Sequence, residues 1–131
     1  MEKVTEEFVI AIYDHLEGVH ELIIRDTGGL EEVRDKGGLY HSSWKIAEKI
    51  NNNTGALKVA SFIFYELAKK HHFNDGNKRT ATESVKIFLS LNDFKLKTPE
   101  NGLIYISLKI ANNEMGFEKL TKWLEDNIES L

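Results

Sequence analysis

The sequence predicts an all-α protein: one compact domain spanning residues 1–131, folded as a helical bundle with a small flap loop or hairpin. Three observations carry that prediction. A single proline, Pro99, interrupts long stretches of helix-forming residues. Apolar side chains recur at helical spacing along most of the chain. The only segment that alternates as a strand would has no convincing second strand to pair with. With 131 residues, 41% of them apolar, one core can be buried without disulfides or a structural metal, and two domains would be hard to fit.

Each element follows from local chemistry. Val4 to about Gly18 reads as an amphipathic helix opened by Thr5, with Glu6 and Glu7 behind it and Phe8, Ile12 and Leu16 four apart. A second short helical stretch runs near His20 to Arg25. Gly28-Gly29 and Gly37-Gly38 bracket a charged segment, Leu30 to Lys36, expected to be an exposed loop or small hairpin. A helix from roughly Leu39 to Lys49 ends at Asn51-Asn52-Asn53-Thr54-Gly55, a run of turn residues. Ala56 to Lys70 is apolar on nearly every side and belongs in the middle of the core.

After His71 to Gly76, the residues Thr80, Ala81, Ser84, Val85, Phe88 and Leu89 trace one face of a helix that ends at Asn92-Asp93. Thr98-Pro99-Glu100 offers a capping hydroxyl, a proline at the first helical position and an acid near the positive end. The following stretch fits both periods: Ile104, Ile106, Leu108 and Ile110 alternate, whereas Leu103, Ser107, Leu108 and Ala111 fit a helix face, which is favoured. Phe117, Leu120, Leu124 and Ile128 define a last amphipathic helix.

Composition excludes several function classes. There is no cysteine, which removes thiol catalysis, Cys-ligated zinc, iron–sulfur clusters and disulfides. No run approaches the length of a membrane span, and Met1 to Glu7 carries acids where a secretory leader would be basic and then apolar, so a cytoplasmic protein without a membrane role is expected. The net charge is −4, from 17 Lys plus Arg against 21 Asp plus Glu, which argues against broad nucleic-acid binding. The charge is uneven, however. Lys69 to Arg79 is formally +3, with Asp75 its only acid, and leaves the remainder at −7.

That window contains the chemistry, in His71-His72-Phe73-Asn74-Asp75-Gly76-Asn77-Lys78-Arg79-Thr80. A helix starting near Gly76 or Asn77 would turn its unpaired amides and positive dipole end toward the loop, where a phosphate could be held. Gly76 permits close approach, and Asn77, Lys78 and Arg79 add neutral and cationic donors. Beside a polyphosphate, the Asp75 carboxylate suits Mg²⁺. His71 is the natural general base for a hydroxyl, and Phe73 the apolar anchor of the loop. Each residue also has a plainer reading: His71 capping the preceding helix, Asp75 as an N-cap, Lys78 and Arg79 as a solvated face. Their density beside Gly76 and Asn77 is what those readings leave unexplained. A Walker loop is excluded because Gly76-Asn77-Lys78-Arg79-Thr80 lacks the upstream glycine and strand, and no histidine spacing suits zinc.

The string resembles the Fic/Doc family motif His-x-Phe-x-Asp-Gly/Ala-Asn-Lys/Gly-Arg at every specified position, and it looks most like the Doc (death on curing) toxin branch. His72 stands where a proline is frequent, and His71 takes the catalytic place because it stands two residues before Phe73. Gly28-Gly29-Leu30 and Arg34-Asp35-Lys36-Gly37-Gly38-Leu39 are similar to an upstream Doc segment.

The resemblance implies a compact Fic-like fold and transfer of part of a nucleotide to a protein hydroxyl. Lysine at 78, where Fic adenylyltransferases usually have glycine, implies transfer of the terminal phosphoryl group from ATP or another nucleoside triphosphate with Mg²⁺, with elongation factor Tu the known kind of target and arrest of translation the consequence. It also implies a separate antitoxin, and a target-binding flap at Arg34, Asp35, Lys36, Gly37, Gly38, Leu39 and Tyr40, for which an ordinary surface loop is the plain alternative. Thr121-x-x-x-Glu125 begins like the family's inhibitory helix, but Asp126 follows where Gly or Asn is expected, so an ordinary terminal helix is read there. Protein adenylylation and a catalytically silent binding module are the rival functions, the second disfavoured by intact His71, Asp75, Asn77 and Arg79.

Overall fold

The computed structural model describes residues 3–131; Met1 and Glu2, which the reading of the acidic N-terminus includes, lie outside the described residues. Among the described residues the fold is all-α apart from one small antiparallel pair of strands distant in sequence. The helices are α1 (Glu6–Thr27), α2 (Lys36–Asn51), α3 (Ala56–Lys69), α4 (Asn77–Leu91), α5 (Glu100–Ala111) and α6 (Phe117–Asn127), with β1 (Phe94–Leu96) and β2 (Ile128–Ser130). α3 is the hub, packing against α2, α4, α5 and α6, while α1 closes over α2 and α4. Its apolar circumference explains that position: Val59, Ala60, Ile63, Phe64, Leu67 and Ala68 are all buried, so no face of α3 is left for solvent over most of its length.

The N-terminal half departs from expectation in two places. The two helical stretches before Gly28 are one helix. Gly18 lies inside it, because Leu16, Val19, His20 and Ile24 continue a single buried stripe whose packing outweighs the ~1 kcal/mol cost of a mid-helix glycine. Thr5 caps α1 as predicted, accepting a hydrogen bond from the Phe8 N–H, and Gly28 ends it at a φ of 79°.

The second departure concerns the proposed flap. Of the two forms expected for Leu30 to Lys36, the exposed loop is the one found, as far as Asp35, and it makes one antiparallel bridge, Val33 to Phe73; the departure lies in the residues after it. Of the residues assigned to the flap, only Arg34 and Asp35 precede α2. Lys36, Gly37, Gly38, Leu39 and Tyr40 form its first turns. The reason is a cap: an Asp35 carboxylate oxygen accepts from the Gly38 N–H at 2.8 Å, and a Cβ at Gly38 would collide with that carboxylate. Leu39 is fully buried in the core, which removes its side chain from any target-facing surface.

At the C-terminal end the ambiguous stretch is helical, with Leu103, Ile106, Ser107 and Ile110 buried. Thr98 does not cap α5, and Pro99 occupies the N-cap, one place before the first helical residue. The Thr98 hydroxyl instead donates to the Asn127 Oδ1 at 2.8 Å, tying the start of α5 to the end of α6. Ile128, expected on the last helix, belongs to β2, which pairs with β1 in the register Phe94↔Ser130, Lys95↔Glu129 and Leu96↔Ile128. No described helix is long and apolar enough to cross a membrane.

Candidate active site

The loop between α3 and α4 is held from three sides. α3 stops at Lys69, and Lys70 is extended. Phe73 then drives into the core, 1% exposed, stacked flat on His20 of α1 with ring centroids 3.8 Å apart. Asn77, the first residue of α4, closes the loop on itself. Its Oδ1 accepts from the Phe73 N–H at 3.1 Å and its Nδ2 donates to the Phe73 carbonyl at 2.9 Å. The side-chain amide of Asn77 therefore works as a clamp on the loop, and the clamp uses only one of the two Nδ2 hydrogens.

Gly76 is the N-cap of α4 in the left-handed region, φ 78° and ψ 16°. A side chain there would be strained, and a Cβ would come within 3.2 Å of the Ile24 Cδ1. The turn leaves the first amides of α4 unpaired at the positive end of its dipole. His71, Asp75, Gly76, Asn77, Lys78 and Arg79 line one cavity of about 610 Å³ together with Asn74, and Thr27, Gly28 and Gly29 form its other wall. The polar residues and the glycine singled out in this loop from the sequence thus meet at one surface, with Phe73 buried behind it. The flap residues Arg34 to Tyr40 do not line that cavity.

Asp75 is fixed at two points. Its Oδ2 accepts from the Leu30 N–H at 2.9 Å, and its main-chain carbonyl lies 2.7 Å from the His20 Nε2. Gly29 makes this possible, with a φ of 119° and no Cβ to press on the Asp75 side chain, which would lie 3.1 Å away. The other carboxylate oxygen, Oδ1, takes no part in that bond. No group of three or more His, Cys, Asp or Glu residues among those described could hold a metal by itself. A single carboxylate is a donor set that Mg²⁺ arriving with a polyphosphate could use, since that ion keeps several waters and takes few protein ligands.

The adjacent histidines have opposite fates: His71 is exposed at the cavity and His72 is 2% exposed. His72 belongs to a buried polar cluster not anticipated from the sequence. Its Nε2 lies 2.8 Å from the Ser42 hydroxyl, which donates to Glu66 at 2.8 Å. A carboxylate only accepts, so the Ser42 proton goes to Glu66 and His72 must donate to the Ser42 oxygen. Glu66 also binds Lys45 at 2.8 Å and Lys70 at 3.2 Å. The His72 carbonyl accepts from the Arg34 and Asp35 N–H groups, so this cluster anchors both the loop and the start of α2. The available signal was Glu66, the single acid in the largely apolar α3.

Burial holds the His72 imidazole below its ordinary value of 6.5, against the opposing pull of Glu66. Burial pushes Glu66 up, but hydrogen bonds from Lys45 and Ser42 and the charges of Lys45 and Lys70 outweigh it and bring it below 4.5. In both cases the unfolded chain binds the proton more readily. Stability is therefore full above the unfolded values and declines as pH falls, through His72 below about 6.5 and then through Glu66 below about 4.5. The urea midpoint is expected to drop between pH 6.5 and 5, and H72Q to flatten that drop; parallel profiles for the two proteins would contradict it.

An α-helical domain with a clamped histidine–acid–glycine loop opening on a cationic helix N-terminus defines a recognisable class of site. Residues 4–89, well over half of the 131, match the sequence model of the Fic/DOC family, and the chain belongs to that family. The matched segment runs from α1 to α4 and contains the whole loop. Fic proteins use nucleoside triphosphates and transfer nucleotide groups to proteins, and family members often pair with an antitoxin. A search of curated proteins returns no match.

Proposed function

We propose that the protein is a Doc-type toxin that transfers the terminal phosphoryl group of ATP, or another nucleoside triphosphate, to a Ser or Thr hydroxyl of a target protein. The observation that carries this reading is Lys78 in the cavity, at the position where Fic adenylyltransferases usually keep a glycine. An ammonium there occupies the room a further phosphate would need and favours an orientation that exposes the terminal phosphoryl group. Elongation factor Tu is the kind of target the Doc resemblance implies, with arrest of translation in the cytoplasm as the outcome and a separate antitoxin as the restraint.

The roles follow from the placement. His71 takes the proton from the acceptor hydroxyl as its oxygen bonds to phosphorus and the bond to the departing nucleoside diphosphate breaks. The Gly76 amide, Lys78 and Arg79 stabilise the charge on the transferring group. Asn77 and Phe73 hold the loop still through their paired hydrogen bonds and buried ring. Asp75 Oδ1 would hold Mg²⁺, which when bound neutralises phosphate charge. The flap role contracts to the irregular stretch ending at Asp35, because the Arg34 and Asp35 amides already bind the His72 carbonyl and the rest is helical.

Incubation with bacterial lysate and ATP labelled at either the α- or the γ-phosphate separates the possibilities. Label on a target from γ-labelled ATP alone is the expected result. Transfer from α-labelled ATP would replace the kinase reading by protein adenylylation, and no His71-dependent transfer from either would leave a binding module.

A further inference from the structure

His20 is a buried imidazole that takes no part in the proposed chemistry. It stands on the core-facing stripe of α1 between Leu16 and Ile24, 1% exposed, with its ring plane 9° from that of Phe73. Its Nε2 lies 2.7 Å from the Asp75 carbonyl oxygen. A carbonyl only accepts, so Nε2 carries the proton, and Nδ1 is a bare nitrogen with no partner in the interior. A phenylalanine would keep the stack without that unsatisfied atom. What histidine adds at position 20 is the N–H that reaches Asp75.

The consequence lies on the other side of the same peptide unit. No peptide bond among the described residues is cis, so the Asp75 carbonyl and the Gly76 N–H point in opposite directions. With the carbonyl drawn toward α1, the Gly76 N–H points away from it. As the N-cap residue, Gly76 gives α4 its carbonyl, which accepts from the Thr80 N–H at 2.9 Å, and its own N–H stays outside the helical ladder. Glycine offers little resistance to turning this peptide over, and a turned peptide would present a carbonyl oxygen where an anion needs a donor.

We infer that His20 is a positioning residue whose Nε2–H holds the Asp75–Gly76 peptide carbonyl-inward and thereby aims the Gly76 amide into the cavity as a donor to a nucleotide phosphate. The inference rests on the reading of that cavity as a phosphate site. It also assigns the acceptor its donor in α1, which reaches across 55 residues of sequence to set the geometry of the loop.

The test compares wild type, H20F and H20Q for ATP affinity by calorimetry, for melting temperature, and for the Gly76 amide in ¹⁵N–¹H spectra. H20F keeps a flat ring on Phe73 and loses the donor; H20Q keeps an N–H of similar reach and loses the ring. H20F is expected to bind ATP ~10-fold more weakly, the scale of one hydrogen bond to a charged acceptor, and to lose the downfield shift of the Gly76 amide on ATP addition. H20Q is expected to retain most of both despite a lower melting temperature. Wild-type affinity and an unchanged Gly76 shift in H20F overturn the inference alone, as does equal weakening in the two variants, which would mean packing only. No ATP binding by wild type overturns the phosphate-site reading together with it.

Discussion

Replacing His71 with alanine is expected to lower the rate of group transfer by ~10²–10⁴-fold, the range that a positioned general base contributes. The imidazole is exposed at the cavity wall, and its removal opens no hole in the core. Melting temperature should therefore stay within the small range typical of surface substitutions, about 0.5 kcal/mol in stability. ATP affinity should also persist, because the groups proposed to bind phosphate are Lys78, Arg79 and the α4 amides, the first two of which line the same cavity. Rate, melting temperature and ATP affinity measured on one preparation check all three. Retention of more than a tenth of the wild-type rate would remove His71 from the base role, and the buried His72, hydrogen-bonded to Ser42, is in no position to replace it.

The largest expected loss of stability comes from Phe73→Ala, ~3–5 kcal/mol by analogy with other fully buried aromatic truncations. For a domain of this size that corresponds to a fall of roughly 10 °C or more in melting temperature. The ring is 1% exposed and supports His20 on one face, while its backbone carries both hydrogen bonds of the Asn77 clamp and the bridge to Val33. Truncation should therefore loosen the loop as well as the core, and ATP affinity should fall in parallel, unlike in His71→Ala. Phe73→Leu should recover part of the stability and less of the affinity, because leucine refills volume without a flat face for His20. Urea unfolding and calorimetry check the pair; a loss below about 1 kcal/mol would mean that the site collapses around the missing ring.

Much of the fold was legible because its signals are local. Thr5 capping α1, the apolar circumference of α3 and the turn at Asn92 each depend on residues within one or two turns, and the structure bears them out. The misreadings occurred where distant packing overrode a local cue. Gly18 looked like a helix end, but the stripe through Val19, His20 and Ile24 had a core to bury against. Gly37-Gly38 looked like a loop, but Asp35 caps a helix through them and Leu39 anchors it. β1 and β2 are three residues each and far apart in sequence, so neither carries a pattern long enough to read.

The candidate site divides in the same way. The sequence by itself determined the contents of the loop: two adjacent histidines, one carboxylate, a glycine before a helix and two cations, compressed into nine residues, His71 to Arg79. Tertiary structure decided how those residues are held. It separated His71 from His72 by burying the second, made Asn77 a clamp, set Leu30 against Asp75, and brought His20 beneath the Asp75–Gly76 peptide. The reason is that chemistry depends on residue type and short spacing, both visible along a chain, whereas the direction of a carbonyl or an amide is fixed by partners that meet only when α1 folds against α4.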